Sequence, residues 1–164
     1  MSWTVIDSPV GALRIVENDG AITQIEFSPF PSVGESHDGR PRGDRDDNNP
    51  LLVEAARQLR AYFDRDLKEF DLPLAPVGSE FQQQVWKALR EIGYGETSSY
   101  GDIAHRLGKS NAASRAVGLA NGRNPIPIVI PCHRVIGANG TLTGYAGGLD
   151  RKQTLLEIEQ DALF

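Results

Sequence analysis

Apolar and polar residues alternate near the start of the chain, a pattern typical of β-strands with one buried face. The alternation predicts three strands, over residues 3–6, 12–16 and 21–27. Asn18-Asp-Gly20 separates the last two strands and predicts a tight hairpin turn, so we expect a β-meander. The alternation ends at residue 28, and residues 28–50 are rich in Pro, Gly, Ser, Asp, Asn and Arg. This composition predicts a solvated loop, flexible over about residues 31–50.

A helical periodicity replaces the alternation after residue 50. It predicts helices over residues 51–65, 100–107, 112–120 and 149–163, a further helix opened by Ser79, and one more strand over residues 70–74. Ser79 is expected to form a capping box with Gln82, three residues on. The two short helices on either side of Gly108 are a helix-turn-helix candidate. Glycines on both sides of Thr141-Leu-Thr143 predict a hairpin-like wing.

Pro73, Pro76 and Gly78 interrupt both periodicities and predict a boundary between a domain over residues 1–78 and a domain over residues 79–164. The first domain carries 8 Lys+Arg and 14 Asp+Glu, and the second carries 9 and 8. The net charge of -5 by itself argues against a nucleic-acid partner. Residues 103–149, however, contain no acid and five basic residues, Arg106, Lys109, Arg115, Arg123 and Arg134. We therefore expect a basic face around the single cysteine.

That cysteine, Cys132, follows an apolar run over residues 126–130 that includes one proline and is closed by another. The run predicts a short buried extended segment, which presents Cys132 at a rigid bend. His133 could accept the thiol proton and so generate a nucleophile, provided that a tight turn or a bridging water brings the two side chains together. In the alternative interpretation Cys132 is a small core residue.

Two other features each have a structural and a functional interpretation. The small residues of the helix over 112–120 could allow close helix packing, or they could let the helix press into a groove of DNA and insert Arg115. Glu159 on the last helix could be solvated, or it could be buried and paired with a protonatable histidine.

Composition excludes several classes of protein. One cysteine rules out an internal disulfide and a zinc cluster of several thiolates, and it fits a reducing compartment. The N-terminus lacks a basic region followed by an apolar segment, and no run approaches the length of a membrane span. We expect a cytoplasmic protein with no metal, no cofactor and no membrane contact.

Pro131-Cys-His-Arg134, with the upstream Asn124-Pro and the downstream Thr143-Gly-Tyr-Ala-Gly-Gly148, closely resembles the signature of the O6-alkylguanine-DNA alkyltransferases, also called methylated-DNA–protein-cysteine methyltransferases. The resemblance covers residues 79–160 and, more weakly, the part before them. It implies an α+β fold, with an N-terminal ribonuclease H-like α/β domain and a C-terminal winged-helix domain. It also implies DNA repair by direct, stoichiometric and irreversible transfer of the alkyl group from O6-alkylguanine, and from O4-alkylthymine, in a flipped-out base. The partner would be double-stranded DNA, entered through the minor groove by a monomer that needs no other protein.

The resemblance assigns a role to each site residue. Cys132 would accept the alkyl group, His133 would act through a water as its base, and Glu159 would orient His133. Asn124 would brace the turn, and Tyr100 would donate a proton or hydrogen bond to the leaving base. The expected contacts with DNA or the base come from Arg115, Ala116, Gly118, Asn121, Arg123, Val135, Tyr145 and Ala146. Some relatives have serine at the position of Ala146, where only a backbone contact is expected.

Three other functions compete with alkyl transfer. A lesion-binding protein with the same fold would flip the base but lack the cysteine. A thiol hydrolase could use the same Cys132 and His133 with Glu159 to form an acyl-enzyme. A plain winged-helix transcription factor would need only the DNA-binding helices.

Overall fold

The computed structural model describes residues 1–30, 43–140, 145 and 147–161. Its internal contacts divide the chain into two compact units, Met1–Pro76 (unit 1) and Val77–Phe164 (unit 2). Within the described residues, no helix is long and apolar enough to cross a membrane.

Unit 1 contains a four-stranded sheet in the order β3-β2-β1-β4. Its strands are β1 (Ser2–Ile6), β2 (Leu13–Asn18), β3 (Ala21–Phe27) and β4 (Asp44–Arg45). The first three pair antiparallel, which confirms the predicted meander. Asp19 and Gly20 form the hairpin turn with φ values of 50° and 80°, the left-handed conformation that such two-residue turns require.

One helix, α1 (Pro50–Phe63), packs against β1 and β2. The side chain of Asn49 caps it by accepting hydrogen bonds from the backbone N–H groups of Leu51 and Leu52, at 3.0 and 3.2 Å. The predicted helix is confirmed, and its buried face carries the apolar residues Leu52, Ala55, Leu59 and Tyr62.

Two predictions for unit 1 are wrong. The segment expected to be a flexible loop contains β4, which pairs parallel with β1 and is held there by a hydrogen bond from the Trp3 indole to Gly43 O. Residues 31–42 of that segment lie outside the described residues. The predicted strand over residues 70–74 is only an isolated bridge between Leu74 and Ile22. Proline donates no backbone hydrogen bond, so Pro73 cannot support a continuous ladder.

Unit 2 is mostly helical. Its helices are α2 (Glu80–Leu89), α3 (Tyr100–Arg106), α4 (Ser114–Gly122) and α5 (Leu149–Asp161), and a parallel two-stranded pair joins β5 (Ser98–Ser99) to β6 (Val135–Ile136). The predicted capping box at Ser79 is confirmed, and Ser99 forms a second one with Asp102. Sequence analysis missed the β5–β6 pair, because two-residue strands have no periodicity to detect.

Helices α3 and α4 form the predicted helix-turn-helix pair. The second helix begins at Ser114 rather than at residue 112, because a 3₁₀ turn over Asn111–Ala113 precedes it. Its buried face packs against α2, and the Trp86 indole of α2 donates a hydrogen bond to Ala120 O at 2.8 Å. The predicted wing over residues 141–143 and the end of the predicted last helix at residues 162 and 163 lie outside the described residues.

A candidate active site in unit 2

The chain before Cys132 is buried, as predicted, but it is a tight turn and not an extended segment. Val129 N–H donates to Pro127 O at 2.9 Å, and Ile130 N–H donates to Ile126 O at 3.0 Å. Ile128 has a φ of 74°, a left-handed conformation that is costly for a β-branched residue. The prolines explain the difference, since they remove the backbone donors that a strand would need.

Asn124 holds this turn from its inner side. Its side-chain amide donates to Ile130 O at 2.8 Å, and its side-chain oxygen accepts from Ile126 N–H at 3.0 Å. The side chain thereby replaces the missing ladder bonds at both ends of the turn. The structure thus places Asn124 where the expected bracing role requires it.

Cys132 opens a 3₁₀ turn, Cys132–Arg134, which follows directly from the first turn. Cys132 N–H donates to Ile130 O at 2.8 Å, and Arg134 N–H donates to Pro131 O at 3.0 Å. The thiol-bearing residue is only 3% exposed. A tight turn at Cys132, one of the two arrangements that the sequence analysis considered, is present.

His133 and Glu159 meet in the interior of unit 2. His133 Nε2 lies 2.5 Å from Glu159 Oε2, and the two side chains are 0% and 1% exposed. The solvated alternative for Glu159 is therefore wrong, and the buried, histidine-paired alternative is confirmed. Gly95 N–H donates a further hydrogen bond to Glu159 Oε1 at 3.2 Å.

Arg134 is the second side chain that pairs with Glu159. Its Nε donates to Oε1 at 2.8 Å and its Nη2 to Oε2 at 3.2 Å, a two-pronged geometry, while Nη1 donates to Ile92 O at 2.6 Å. This corrects the expected basic face, because Arg134 is 6% exposed and belongs to the interior. Arg106 is also engaged, with Glu91 at 3.1 Å.

These contacts set the protonation states of the pair. Burial alone would raise the pKa of Glu159, but the hydrogen bonds and charges of His133 and Arg134 outweigh burial and lower it to about 2. Burial lowers the pKa of His133, and the neighbouring Arg134 charge adds to that effect against the pull of Glu159. The site at neutral pH therefore holds an ionised Glu159 and a neutral His133.

The tautomer of His133 follows from its partner. A carboxylate can only accept, so Nε2 carries the proton and donates it to Glu159. Nδ1 is then the unprotonated nitrogen, and it is buried with no hydrogen-bond partner among the described residues. A neutral imidazole whose buried acceptor nitrogen has no partner, on the residue directly after the cysteine, has the protonation state that a general base needs.

Burial raises the pKa of the Cys132 thiol. Three side chains work against burial by favouring the thiolate: Asn124 and Tyr145 through hydrogen bonds, and Lys152 through its charge. Lys152 is a functional candidate that sequence analysis missed. Its only signal was a lysine beside an arginine near the start of a helix, which ordinarily indicates a solvated position.

The residues expected to contact DNA fall into two groups. Arg115, Ala116 and Arg123 are exposed on or just after α4. Gly118 is half-buried, and a Cβ built there would lie 3.6 Å from the Tyr100 ring, so Tyr100 and α4 are close neighbours.

The remaining candidates lie inside unit 2 or outside the described residues. Asn121 is 2% exposed, and its amide lies 3.4 Å from Cys132 O, so the structure places it behind the cysteine and away from the exposed face of α4. Val135 is fully buried and Tyr145 is half-buried. Ala146 lies outside the described residues. Among those residues, no group of three or more His, Cys, Asp or Glu side chains could hold a metal ion.

Family models match both units of the chain. Residues 80–161 match "6-O-methylguanine DNA methyltransferase, DNA binding domain", and residues 1–76 match "6-O-methylguanine DNA methyltransferase, ribonuclease-like domain".

Relatives and solved structures of similar sequence cover nearly the whole chain. The chain is 49% identical to a methylated-DNA–protein-cysteine methyltransferase of Methanosarcina acetivorans over 97% of the chain and 98% of the relative. It is 50% identical to the methylated-DNA–protein-cysteine methyltransferase of Mycolicibacterium paratuberculosis over 98% of the chain and 93% of the relative. A crystal structure of Mycobacterium tuberculosis OGT in complex with DNA superposes with a TM-score of 0.88 at 46% identity, and it covers 99% of this chain and 94% of that one.

Proposed function

The chain belongs to the 6-O-methylguanine DNA methyltransferase family, and from that premise we propose that Cys132 receives the alkyl group. The chain has an α+β fold with an N-terminal ribonuclease-like domain and a C-terminal DNA-binding domain. It binds DNA and acts in DNA repair by direct transfer of an alkyl group from O6-alkylguanine to a cysteine of its own. Cys132 is the single cysteine of the sequence.

The observation that carries this assignment is the contact of His133 Nε2 with Glu159, which leaves Nδ1 as the proton acceptor beside the cysteine turn. In the proposed step, the thiol proton passes through a water to Nδ1, and His133 becomes a cation next to the ionised Glu159. The thiolate attacks the alkyl carbon, so that a sulfur–carbon bond forms and the carbon–O6 bond breaks. The electron pair stays with the guanine, which takes up a proton with the help of Tyr100. The thioether is stable to water, so each molecule acts once.

The proposed binding of the lesion follows from the exposed residues of α4. O6 of guanine is out of reach of a thiolate inside a duplex, so the nucleotide must be extruded. Arg115 and Arg123 are exposed cations that suit phosphates or the narrow minor groove, and the small side chains of Ala116 and Gly118 permit a close approach. We assign Arg115 to the gap left in the base stack. The backbone at Val135 and Ala146, with Tyr145, would line the base and alkyl pocket, and Asn121 would support it through Cys132 O.

We extend the proposal to the protein as a whole. Residues 79–164 would carry both lesion binding and alkyl transfer as a monomer, without an obligate protein partner, and O4-alkylthymine would be a second substrate. A reducing cytoplasm would keep the single thiol available. Intact mass measurement after incubation with a duplex that contains O4-methylthymine tests the second substrate.

Intact mass measurement with peptide mapping tests the assignment of Cys132. After incubation with a duplex that contains O6-methylguanine, we expect a gain of one CH2 unit per molecule on the Cys132 peptide, with no further turnover. Cys132→Ala should gain no mass and still bind the lesion duplex selectively. Wild-type protein that binds the lesion without a gain in mass would instead be a lesion-binding module. A gain on any other residue would overturn the assignment.

A further inference from the structure

Lys152 is a fully buried lysine on α5, and the described function does not use it. Its side chain is 0% exposed, which makes it one of the largest fully buried side chains among the described residues. Its Nζ donates a hydrogen bond to Val135 O at 2.5 Å. Lysine almost never occupies such a position unless its charge is compensated, so the site must stabilise the ammonium or be stabilised by it.

The contacts of Lys152 connect two parts of the candidate site. Val135, whose carbonyl it holds, follows the cysteine turn directly and begins β6. β6 pairs with β5 through Ser98 and Val135, and β5 leads directly into Tyr100 at the start of α3. Burial lowers the pKa of Lys152, and the charge of a Cys132 thiolate acts in the opposite direction, just as the Lys152 charge acts against burial at the thiol.

We propose that Lys152 is a positioning residue whose ammonium stabilises the Cys132 thiolate while it holds the Val135 carbonyl in place for the extruded base. This inference rests on the proposed role of Cys132. Lys152 itself neither gives up nor accepts a proton in the step, since the thiol proton goes to His133. What it supplies is a fixed positive charge in a dry interior, where such a charge acts more strongly than in water.

The other charged and titratable groups around Cys132 do not duplicate this role. His133 takes the proton and becomes a cation during the step, and Glu159 compensates that new charge together with the charge of Arg134. Asn124 and Tyr145 contribute neutral hydrogen bonds to the thiolate. The Lys152 charge also lowers the pKa of His133, as the Arg134 charge does, so Lys152 favours the thiolate while Glu159 must compensate the imidazolium.

Ultraviolet absorbance of the thiolate, titrated with pH, tests the proposal, and the single cysteine makes the signal specific. Lys152→Met removes the charge and keeps the length, Lys152→Arg keeps the charge, and Lys87→Met on the exposed face of α2 is the matched control. We expect K152M to raise the Cys132 pKa by at least one unit, and alkyl transfer near pH 7 to slow about tenfold in proportion. K152R should stay closer to wild type than K152M, and K87M should match wild type.

A folded K152M protein with an unchanged Cys132 pKa would overturn the inference. If K152M does not fold, the wild-type protein decides, because the interaction is reciprocal. S-alkylation of Cys132 prevents a thiolate from forming at high pH, so the pKa of Lys152, followed by nitrogen NMR, should fall in the alkylated protein, and an unchanged value would refute the proposal. Failure of the proposed function would look different, since wild-type Cys132 would then gain no mass.

Discussion

Each unit buries an ion pair, and the two pairs differ in how they are built. In unit 1, Arg14 of β2 lies directly opposite Glu26 of β3 in the antiparallel register, with Nε 3.1 Å from Oε1. The guanidinium also lies 5.4 Å from the ring centre of Trp3 and 4.8 Å from that of Phe30. The arrangement joins neighbouring strands and contains neither a histidine nor a thiol.

The pair in unit 2 instead brings together side chains from distant parts of the sequence. Glu159 of α5 accepts from His133 and Arg134 of the cysteine turn and from the backbone of Gly95, and Lys152 of the same helix holds Val135 O. This group includes a histidine and a thiol, so a proton can move within it. The comparison suggests that an ion pair shared among several titratable partners marks a reactive site, whereas a two-residue pair across a ladder supports the fold.

The largest effect that separates the two pairs is expected from Glu159→Gln. The substitution leaves the Arg134 charge buried without its carboxylate, so the free energy of unfolding should fall by about 3–5 kcal/mol. It also removes the partner that orients His133, so alkyl transfer should slow by about 100-fold or more. Denaturant unfolding and the time course of the mass gain measure the two losses.

Glu26→Gln is the matched control in unit 1. It should also destabilise the chain, but the rate of alkyl transfer in the folded protein should stay within about twofold of wild type, since Glu26 pairs with Arg14 in unit 1 and the candidate site lies in unit 2. Equal losses of rate in both variants would mean that the Glu159 effect is one of stability, and the distinction between the two pairs would fail.

The pH dependence of the free energy of unfolding should show a smaller effect of Glu159. The pKa of Glu159 is about 2 in the folded protein against an ordinary value of 4.5, so the unfolded chain takes up the proton first as pH falls. The stabilisation is complete above about pH 5 and is lost between about pH 5 and pH 2, and it amounts to about 3 kcal/mol. The lowered pKa of His133 adds a loss of the same sign that begins near pH 6.5.

Urea unfolding of wild type and Glu159→Gln across this range measures the difference. The curve of the variant should be flatter below pH 5, since one carboxylate with a lowered pKa is gone. Parallel curves for the two proteins would show that Glu159 is not held in its ionised form.

The smallest effect is expected from Arg115→Ala, which removes an exposed cation from α4. The free energy of unfolding of this variant should differ from that of wild type by no more than about 0.5 kcal/mol, as for other surface substitutions. Reaction with a methylated duplex should slow about tenfold, whereas reaction with a free alkylated base should stay unchanged, because only the duplex needs the gap in its stack filled. Equal losses on both substrates would contradict the stacking role and place Arg115 in the base pocket.

Local patterns predicted most of the fold. Alternation located β1 to β3, the Asn-Asp-Gly turn located their hairpin, and the capping box located the start of α2. Where the prediction failed, the cause was pairing across the fold. β4 exists because it lies along β1, and the turn before Cys132 is held because the Asn124 side chain donates to Ile130 O and accepts from Ile126 N–H.

The sequence by itself determined the nucleophile candidate and its neighbour, because a single cysteine followed by His133 between proline and arginine is a local feature. Only the tertiary structure decided the rest of the site. Whether Glu159 is solvated or buried, whether Arg134 faces DNA or the interior, and whether Lys152 is an ordinary surface lysine all depend on how α5 packs on the cysteine turn. A charged residue on a helix carries no sign of burial in its own sequence, since its environment is set by segments more than 15 residues away, as with Lys152 and Val135, 17 residues apart.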